Sequence, residues 1–181
     1  RFFGELRTPF DPRLVQQMKC GTPDSDALVQ AEIAAGVVEA MEDGVVYLLC
    51  PGTTTSAVME ALGFHHTLLG IDAVLNGKLV ASDLDSRQIA VLAMEHPLRI
   101  LLTVTGGQGM LLGRGNQQLT PSLLRQLGRT ALWVLATSHK LQTLAGRPLR
   151  LDTGDEELDT AWRGLIEVTT GYRSRQLCWL T

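Results

Sequence analysis

Three short apolar runs, the first of them uninterrupted, constrain the fold of this chain most strongly. The runs are residues 45–50, 98–104 and 130–136. Continuous hydrophobicity over strand length is typical of parallel strands buried on both faces. Helix patterns alternate with these runs along the chain, at 57–62, 121–127 and 138–144. The sequence therefore predicts an α/β fold with a parallel, helix-covered sheet, Rossmann-like in its three layers.

Two further patterns add antiparallel strands to this sheet. Asn76-Gly77 separates the β-prone runs 67–74 and 78–81 and predicts a β-hairpin insertion. Runs 164–169 and 175–180 flank a Thr-Gly-Tyr turn, and they predict a C-terminal antiparallel strand pair. The remaining predicted elements are helices at 26–41, 86–95 and 156–162 and a short strand at 149–151.

The chain divides into a lead-in and one domain. Residues 1–26 contain Pro9, Pro12 and Pro23 and predict an irregular lead-in with one short helix near 14–18. Residues 27–181 are long enough for a single α/β domain with its own core. Because no initiator Met is present, we expect the chain to be a fragment or a processed form of something larger.

Composition excludes several classes of protein. A formal net charge of -3 argues against a nucleic-acid partner bound through a broad basic face. Three widely spaced cysteines form no metal-ligand or disulfide pattern and favour a reducing, cytoplasmic location. The sequence shows neither a signal peptide nor an apolar run of membrane-spanning length, so no membrane partner is expected.

The first candidate site is a hydroxyl-rich turn after the first apolar run. Gly52 is followed by Thr53, Thr54 and Thr55, and a short helix begins shortly afterwards. Glycine permits the turn, and hydroxyls together with N–H groups at a helix start can surround a phosphate. The alternative is an ordinary strand-to-helix turn with many capping residues. The pattern is not that of a Walker A loop.

The second candidate site is a glycine-rich loop after the run 98–104. Ligands of open α/β sheets bind at the carboxyl ends of strands, and glycine lets the backbone approach them closely. Arg114 suits a phosphate, and amide side chains suit a ribose or base edge. The alternative is a loop without a specific role. The candidate residues here are Gly106, Gly107, Gln108, Gly109, Arg114, Asn116 and Gln117.

Several titratable residues were weighed as site residues. Asp72 lies inside a β-prone run and is a weak candidate for catalysis, since a buried carboxylate needs partners. Asp155 is interpreted as a helix cap. His65 and His66 are interpreted as surface histidines, and Lys140 as a solvated charge that could reach an anion. The sequence offers no metal ligand set.

The order of these motifs resembles the carboxyl-terminal part of the ATP-NAD kinase family, in its prokaryotic, AcoX-like branch. The resemblance runs from about residue 28 to the end of the chain. It rests on Cys50-Pro51-Gly52-Thr53-Thr54-Thr55, Leu68-Leu69-Gly70-Ile71-Asp72, Gly106-Gly107-Gln108-Gly109, Gly113-Arg114-Gly115-Asn116-Gln117-Gln118, and Arg147-Pro148-Leu149 through Asp152-Thr153-Gly154-Asp155.

This resemblance implies ATP-dependent phosphorylation of the 2′-hydroxyl of NAD to give NADP, with Mg²⁺ assisting. It also implies a homo-oligomer and a separate N-terminal domain carrying a Gly-Gly-Asp-Gly motif, which this sequence lacks. Gly106-Gly107-Gln108-Gly109 has Gln where that motif has Asp. The present chain would then supply the nucleotide-binding C-terminal portion. Two alternatives are a noncatalytic nucleotide-binding or regulatory domain and a sugar-phosphate-binding or isomerase-type domain.

Overall fold

The computed structural model describes residues 23–105, 107–113 and 115–181. The elements are helices α1 (Pro23–Glu39), α2 (Thr53–Ala61), α3 (Ser86–Glu95), α4 (Pro121–Leu127), α5 (Ser138–Gln142) and α6 (Glu156–Ala161), a 3₁₀ turn at Arg129–Ala131, and strands β1 (Val46–Leu49), β2 (Asp72–Leu75), β3 (Lys78–Ala81), β4 (Leu98–Thr103), β5 (Leu132–Leu135), β6 (Gly164–Thr169) and β7 (Arg175–Leu180).

The seven strands form one mixed sheet in the order β3-β2-β1-β4-β5-β6-β7. Strands β1, β4, β5 and β6 pair in parallel, as the continuous apolar runs predicted. The hairpin β2–β3 and the final strand β7 pair antiparallel at the two edges. The predicted fold class, with its hairpin insertion and C-terminal strand pair, is therefore confirmed.

Helices cover both faces of the sheet because alternate strand residues point to opposite sides. On one face, Ile33 of α1 and Met59 of α2 pack against Leu49 and Leu101. The larger core on the other face lies beneath α3, α4, α5 and α6. All four residues of β1 are buried, which matches a strand enclosed by both helix layers.

Local signals set the ends of several elements as predicted. Asn76 and Gly77 both have positive φ, as a tight hairpin turn requires. Asp85 caps α3 in a reciprocal capping box with Gln88. Helix α4 begins at Pro121 after the Thr120 cap and ends before Gly128.

Several predicted bounds were wrong. Strand β2 begins at Asp72 rather than at residue 67, and β5 begins at Leu132 rather than at residue 130 because a 3₁₀ turn occupies Arg129–Ala131. Helix α1 begins at Pro23 rather than at residue 26, so the last four residues of the predicted lead-in are helical. The rest of that lead-in, with the predicted short helix at 14–18, lies outside the described residues. Helix α2 begins at Thr53 rather than at residue 57. Residues 149–151 form isolated bridges to Met110 and Leu180 instead of a regular strand.

Candidate functional site

The hydroxyl-rich turn is the start of helix α2. Gly52 is the N-cap residue, and the three threonines form the first turn of the helix rather than a loop before it. Gly52 has φ 152° and ψ 160°, and a Cβ built there would lie 1.9 Å from Cγ2 of Thr103. Only glycine tolerates this backbone together with so close a neighbour. Glycine thus brings the helix start directly against the end of β4.

A lysine side chain closes this turn. Nζ of Lys140 lies 3.1 Å from Oγ1 of Thr53, 3.2 Å from Oγ1 of Thr54 and 3.1 Å from Oγ1 of Thr103. The hydroxyl of Thr103 also donates to that of Thr54, at 3.2 Å. We call this arrangement of Lys140, Thr53, Thr54 and Thr103 the hydroxyl–lysine cradle.

The topology of the sheet explains why these distant residues meet. Strands β1, β4 and β5 are adjacent and parallel, so their carboxyl ends lie at one edge. Helix α2 follows β1, Thr103 is the last residue of β4, and Lys140 lies in the first turn of α5 after β5. The cradle thus occupies the edge at which open α/β sheets bind ligands.

The electrostatics of the cradle favour an anion. The first N–H groups of a helix have no partner within it, and Gly52 offers no side chain to accept from them. The positive end of the helix dipole and the Lys140 ammonium group therefore point to the same place. Thr53 is exposed whereas Thr54 is buried, so an anion could reach the cradle from the side of Thr53.

The hydroxyl of Thr55 makes different contacts from those of Thr53 and Thr54. Its hydroxyl is buried and donates to the carbonyl of Cys50 at 2.6 Å and to that of Gly52 at 2.9 Å. These two bonds tie the first turn of α2 to the backbone that immediately precedes it. Thr55 therefore braces the turn rather than lining the cradle, and a direct ligand contact for it stays a prediction.

Behind the turn, a buried histidine links Cys50 to Asp72. Nδ1 of His66 lies 2.7 Å from Oδ2 of Asp72, and its Nε2 lies 3.2 Å from the carbonyl oxygen of Cys50. The His66 side chain is 3% exposed. The interpretation of His66 as a surface histidine was therefore wrong, because a buried carboxylate six residues along the chain holds its ring in the interior.

Asp72 is completely buried, and both carboxylate oxygens accept hydrogen bonds. Thr67 donates through its backbone N–H to Oδ2 and through its hydroxyl to Oδ1, and the N–H of Asp83 also donates to Oδ1. Burial alone would raise the pKa of Asp72, but the bonds from Thr67, Asp83 and His66 lower it below its usual value. These contacts support a structural role, and catalysis by Asp72 stays a prediction.

The glycine-rich loop uses much of its own backbone internally. Thr105 and Gly109 are joined by a backbone bond of 3.1 Å, and the carbonyl of Gly109 accepts from the N–H of Arg150 at 2.9 Å. The carbonyl of Gly107 accepts from the guanidinium of Arg147 at 3.1 Å. Both backbone polar groups of Gly109 therefore help to hold the loop together, and a ligand contact for it stays a prediction. Of the predicted site residues, Gly106 and Arg114 lie outside the described residues.

Asn116 also braces this loop. Its side-chain amide accepts from the N–H of Gly113 at 2.8 Å and donates to the carbonyl of Leu111 at 3.0 Å. Gln117 is exposed beside it. Both residues line a surface cavity of about 390 Å³, whose other walls include Gly113, Pro121, Asp152 and Gly154. The structure thus places Asn116 and Gln117 at this cavity rather than in the cradle.

The C-terminal motif forms the far wall of that cavity. Asp155 caps α6 by accepting from the N–H of Leu158 at 3.0 Å, as predicted, and it pairs with Arg125 of α4. The backbone bond to Leu158 and the Arg125 guanidinium lower the pKa of Asp155. Gly113 packs so closely on Asp152 that an added Cβ would lie 2.2 Å from the Asp152 carbonyl oxygen. The C-terminal motif at residues 152–155 therefore packs against the glycine-rich loop and supports it.

Within the described residues, no group of three or more His, Cys, Asp or Glu side chains could hold a metal ion. These residues therefore do not fit a metal centre built by the protein. Every helix in the described ranges is too short or too polar to span a membrane.

The sequence did not reveal the full cradle or the histidine behind it. Lys140 was interpreted as a solvated charge that could reach an anion, Thr103 was not considered, and His66 was assigned to the surface. A usable signal was present for Thr103 and Lys140, because Thr103 ends β4 and Lys140 follows β5, two consecutive parallel strands on the same side of β1. No local signal links His66 to the Cys50 carbonyl.

Comparison with known proteins identifies the family. No curated protein and no solved structure matches this chain. A family model described as the ATP-NAD kinase C-terminal domain matches residues 42–180, which is most of the chain and includes both candidate sites. The chain therefore belongs to the ATP-NAD kinase C-terminal domain family.

Proposed function

We propose that this chain is the nucleotide-binding C-terminal portion of an ATP-NAD kinase, which phosphorylates NAD to NADP with ATP. The observation that carries the proposal is the position of Nζ of Lys140 among three hydroxyls at the start of α2. Family membership supports the same reaction. We also propose the prokaryotic, AcoX-like branch, a cytoplasmic location, a homo-oligomeric assembly and a partner N-terminal domain.

The cradle suits the phosphates that such a reaction must hold. Phosphoryl transfer depends mainly on positioning and on neutralising phosphate charge. The Lys140 ammonium group supplies a positive charge, the threonine hydroxyls supply orientable donors, and the helix start supplies N–H groups. In this arrangement the chain's own residues bind and orient a nucleotide phosphate.

The cavity beside Asn116 is the proposed place for a sugar or base of a nucleotide. Its volume of about 390 Å³ lies in the range of small-molecule sites. The exposed amide of Gln117 can donate and accept there, whereas Asn116 already uses its amide to hold the loop. Gln117 is therefore the stronger candidate of the two for direct contact.

Mg²⁺ would reach such a site with ATP. This ion is usually held by one or two carboxylates together with substrate phosphates and water. Such binding does not need a metal centre built from protein side chains alone, and the described residues form no such centre.

A noncatalytic nucleotide-binding role is the second candidate. It is favoured by the complete burial of Asp72, the carboxylate that the sequence offered for catalysis, because its oxygens already accept hydrogen bonds within the chain. Under this alternative the cradle binds nucleotide but no phosphoryl group is transferred.

NADP formation separates the two candidates. The chain and its longest natural precursor are incubated with NAD, ATP and Mg²⁺, and NADP is measured. The kinase proposal predicts NADP from the precursor and its loss in Lys140→Met, whereas Lys78→Met retains activity. Lys78 is a matched control because it is an exposed lysine at the hairpin turn. It pairs with Leu75, which in turn pairs with Val46 at the start of β1, the opposite end of that strand from the cradle.

Two other results would redirect the proposal. Nucleotide binding measured by calorimetry without NADP formation would favour the noncatalytic role. Binding of a sugar phosphate but of neither NAD nor ATP would contradict both.

A further inference from the structure

The ring of His66 lies between two hydrogen-bond acceptors. Oδ2 of Asp72 is 2.7 Å from Nδ1, and the carbonyl oxygen of Cys50 is 3.2 Å from Nε2. A carbonyl oxygen carries no hydrogen, and a carboxylate whose pKa is lowered below its usual value carries none at neutral pH. Both ring nitrogens can therefore be satisfied only if both carry hydrogen, which is the imidazolium form.

Each neutral form of the ring would leave one contact unfavourable. With hydrogen on Nδ1 alone, the lone pair of Nε2 would face the Cys50 carbonyl. With hydrogen on Nε2 alone, the lone pair of Nδ1 would face a carboxylate at 2.7 Å. The His66 side chain is 3% exposed and that of Asp72 is 0% exposed, so water cannot readily supply the missing hydrogen bond in either case.

The Cys50 carbonyl connects this ring to the cradle. Its oxygen accepts from Nε2 of His66 and also from the hydroxyl of Thr55, which lies in the first turn of α2. Cys50 is followed directly by Pro51 and by Gly52, the N-cap of α2. These two donors together fix the orientation of the Cys50 carbonyl, and with it the peptide bond that leads into the turn.

We propose that His66 is a positioning residue, held as an imidazolium by Asp72, that orients the Cys50 carbonyl and thereby the phosphate-binding start of α2. This inference rests on the proposed function of the cradle.

The other titratable groups near the ring differ from Asp72 in their contacts, charge or exposure. Asp83 approaches Asp72 through its backbone N–H, and burial raises the pKa of the Cys50 thiol, which keeps that thiol neutral. His65 and, on α2, Glu60 are exposed. The Asp72 carboxylate is therefore the charged group that pairs with the ring.

Nitrogen-15 NMR of the histidine rings tests the protonation directly in the whole chain without any ligand. At neutral pH we expect both ring nitrogens of His66 to be protonated, with His65 as the exposed reference. A ring with one unprotonated nitrogen at neutral pH would overturn the proposal.

Amide hydrogen exchange and sulfate binding test the positioning role. We compare His66→Gln with His65→Gln, both checked for native circular dichroism. In His66→Gln we expect faster exchange at residues 53–55 and about tenfold weaker sulfate binding, the equivalent of about one hydrogen bond. Sulfate is the probe because its charge is constant across neutral pH.

The outcomes separate this proposal from the proposed function. Unchanged exchange in His66→Gln would overturn the positioning role whether or not sulfate binds. Absence of both sulfate and nucleotide binding in the wild type, with faster exchange in His66→Gln, would instead contradict the proposed function and leave the positioning of the turn supported.

Discussion

The connections that follow β1 and β4 both begin with glycine-containing turns, yet they use their polar groups in opposite ways. After β1, the turn is braced from behind by Thr55 and His66, and it presents the start of a helix beside Lys140. After β4, the polar groups of Gly109 and Asn116 form hydrogen bonds within the loop and to Arg150. Glycine content alone therefore does not mark a ligand site.

The largest effect is expected from Asp72→Asn, which acts on the support behind the first connection. Breaking a buried charged pair should lower the free energy of unfolding by about 3 kcal/mol or more. Chemical denaturation of both proteins at neutral pH measures this loss. A change within experimental error would show that the buried pair does not support the turn.

The same pair predicts a dependence of stability on pH. The pKa of Asp72 is lowered in the folded chain, whereas an unfolded Asp titrates near about 3.9, so the unfolded state takes up the proton first. The stabilisation is therefore complete above the unfolded value and is lost as pH falls through the folded one. Denaturation from neutral to acidic pH should show a shallower acid decline in Asp72→Asn than in the wild type.

A pair of glycine substitutions compares the two connections directly. Gly52→Ala combines a disfavoured positive φ with a Cβ 1.9 Å from Thr103, and it should cost about 3 kcal/mol of unfolding free energy. Gly115→Ala has positive φ but open space around its Cβ, so it should cost about 1 kcal/mol. Equal losses, measured by thermal or chemical unfolding, would contradict the close approach at Gly52.

Asn116→Ala tests whether the second connection is held by its own side chain. It removes two hydrogen bonds to buried or half-buried backbone and should lower the unfolding free energy by about 2 kcal/mol. Sulfate affinity, measured by calorimetry, should remain at the wild-type value because Asn116 is not part of the cradle. A large loss of sulfate affinity with unchanged stability would reverse the roles assigned to the two connections.

Much of the fold was predictable from short-range signals. The Asn76-Gly77 turn and the helix start at residue 121 were predicted and are confirmed. The Asp85 capping box likewise depends on residues within a few positions. The start of α2 was not predicted, because serine and threonine clusters usually precede a helix whereas here Gly52 takes the cap position.

The site was less predictable than the fold because its contacts are long-range. Thr53 and Thr54 were proposed from sequence, but Lys140 meets them across more than eighty residues. Only the order of strands in the sheet brings these side chains together. The His66–Asp72 pair is close in sequence, yet its burial depends on the β2–β3 hairpin and on β1, which no local pattern reveals.

Nucleotide affinity of Lys140→Met tests the central claim most directly. Isothermal titration of ATP into the whole chain should show binding by the wild type and by the control Lys78→Met. The Lys140→Met protein should bind roughly 10- to 100-fold more weakly, since a hydrogen bond to a charged group contributes about 1.5–3 kcal/mol. Equal ATP affinity in Lys140→Met and wild type would contradict the assignment of the hydroxyl–lysine cradle as the phosphate site.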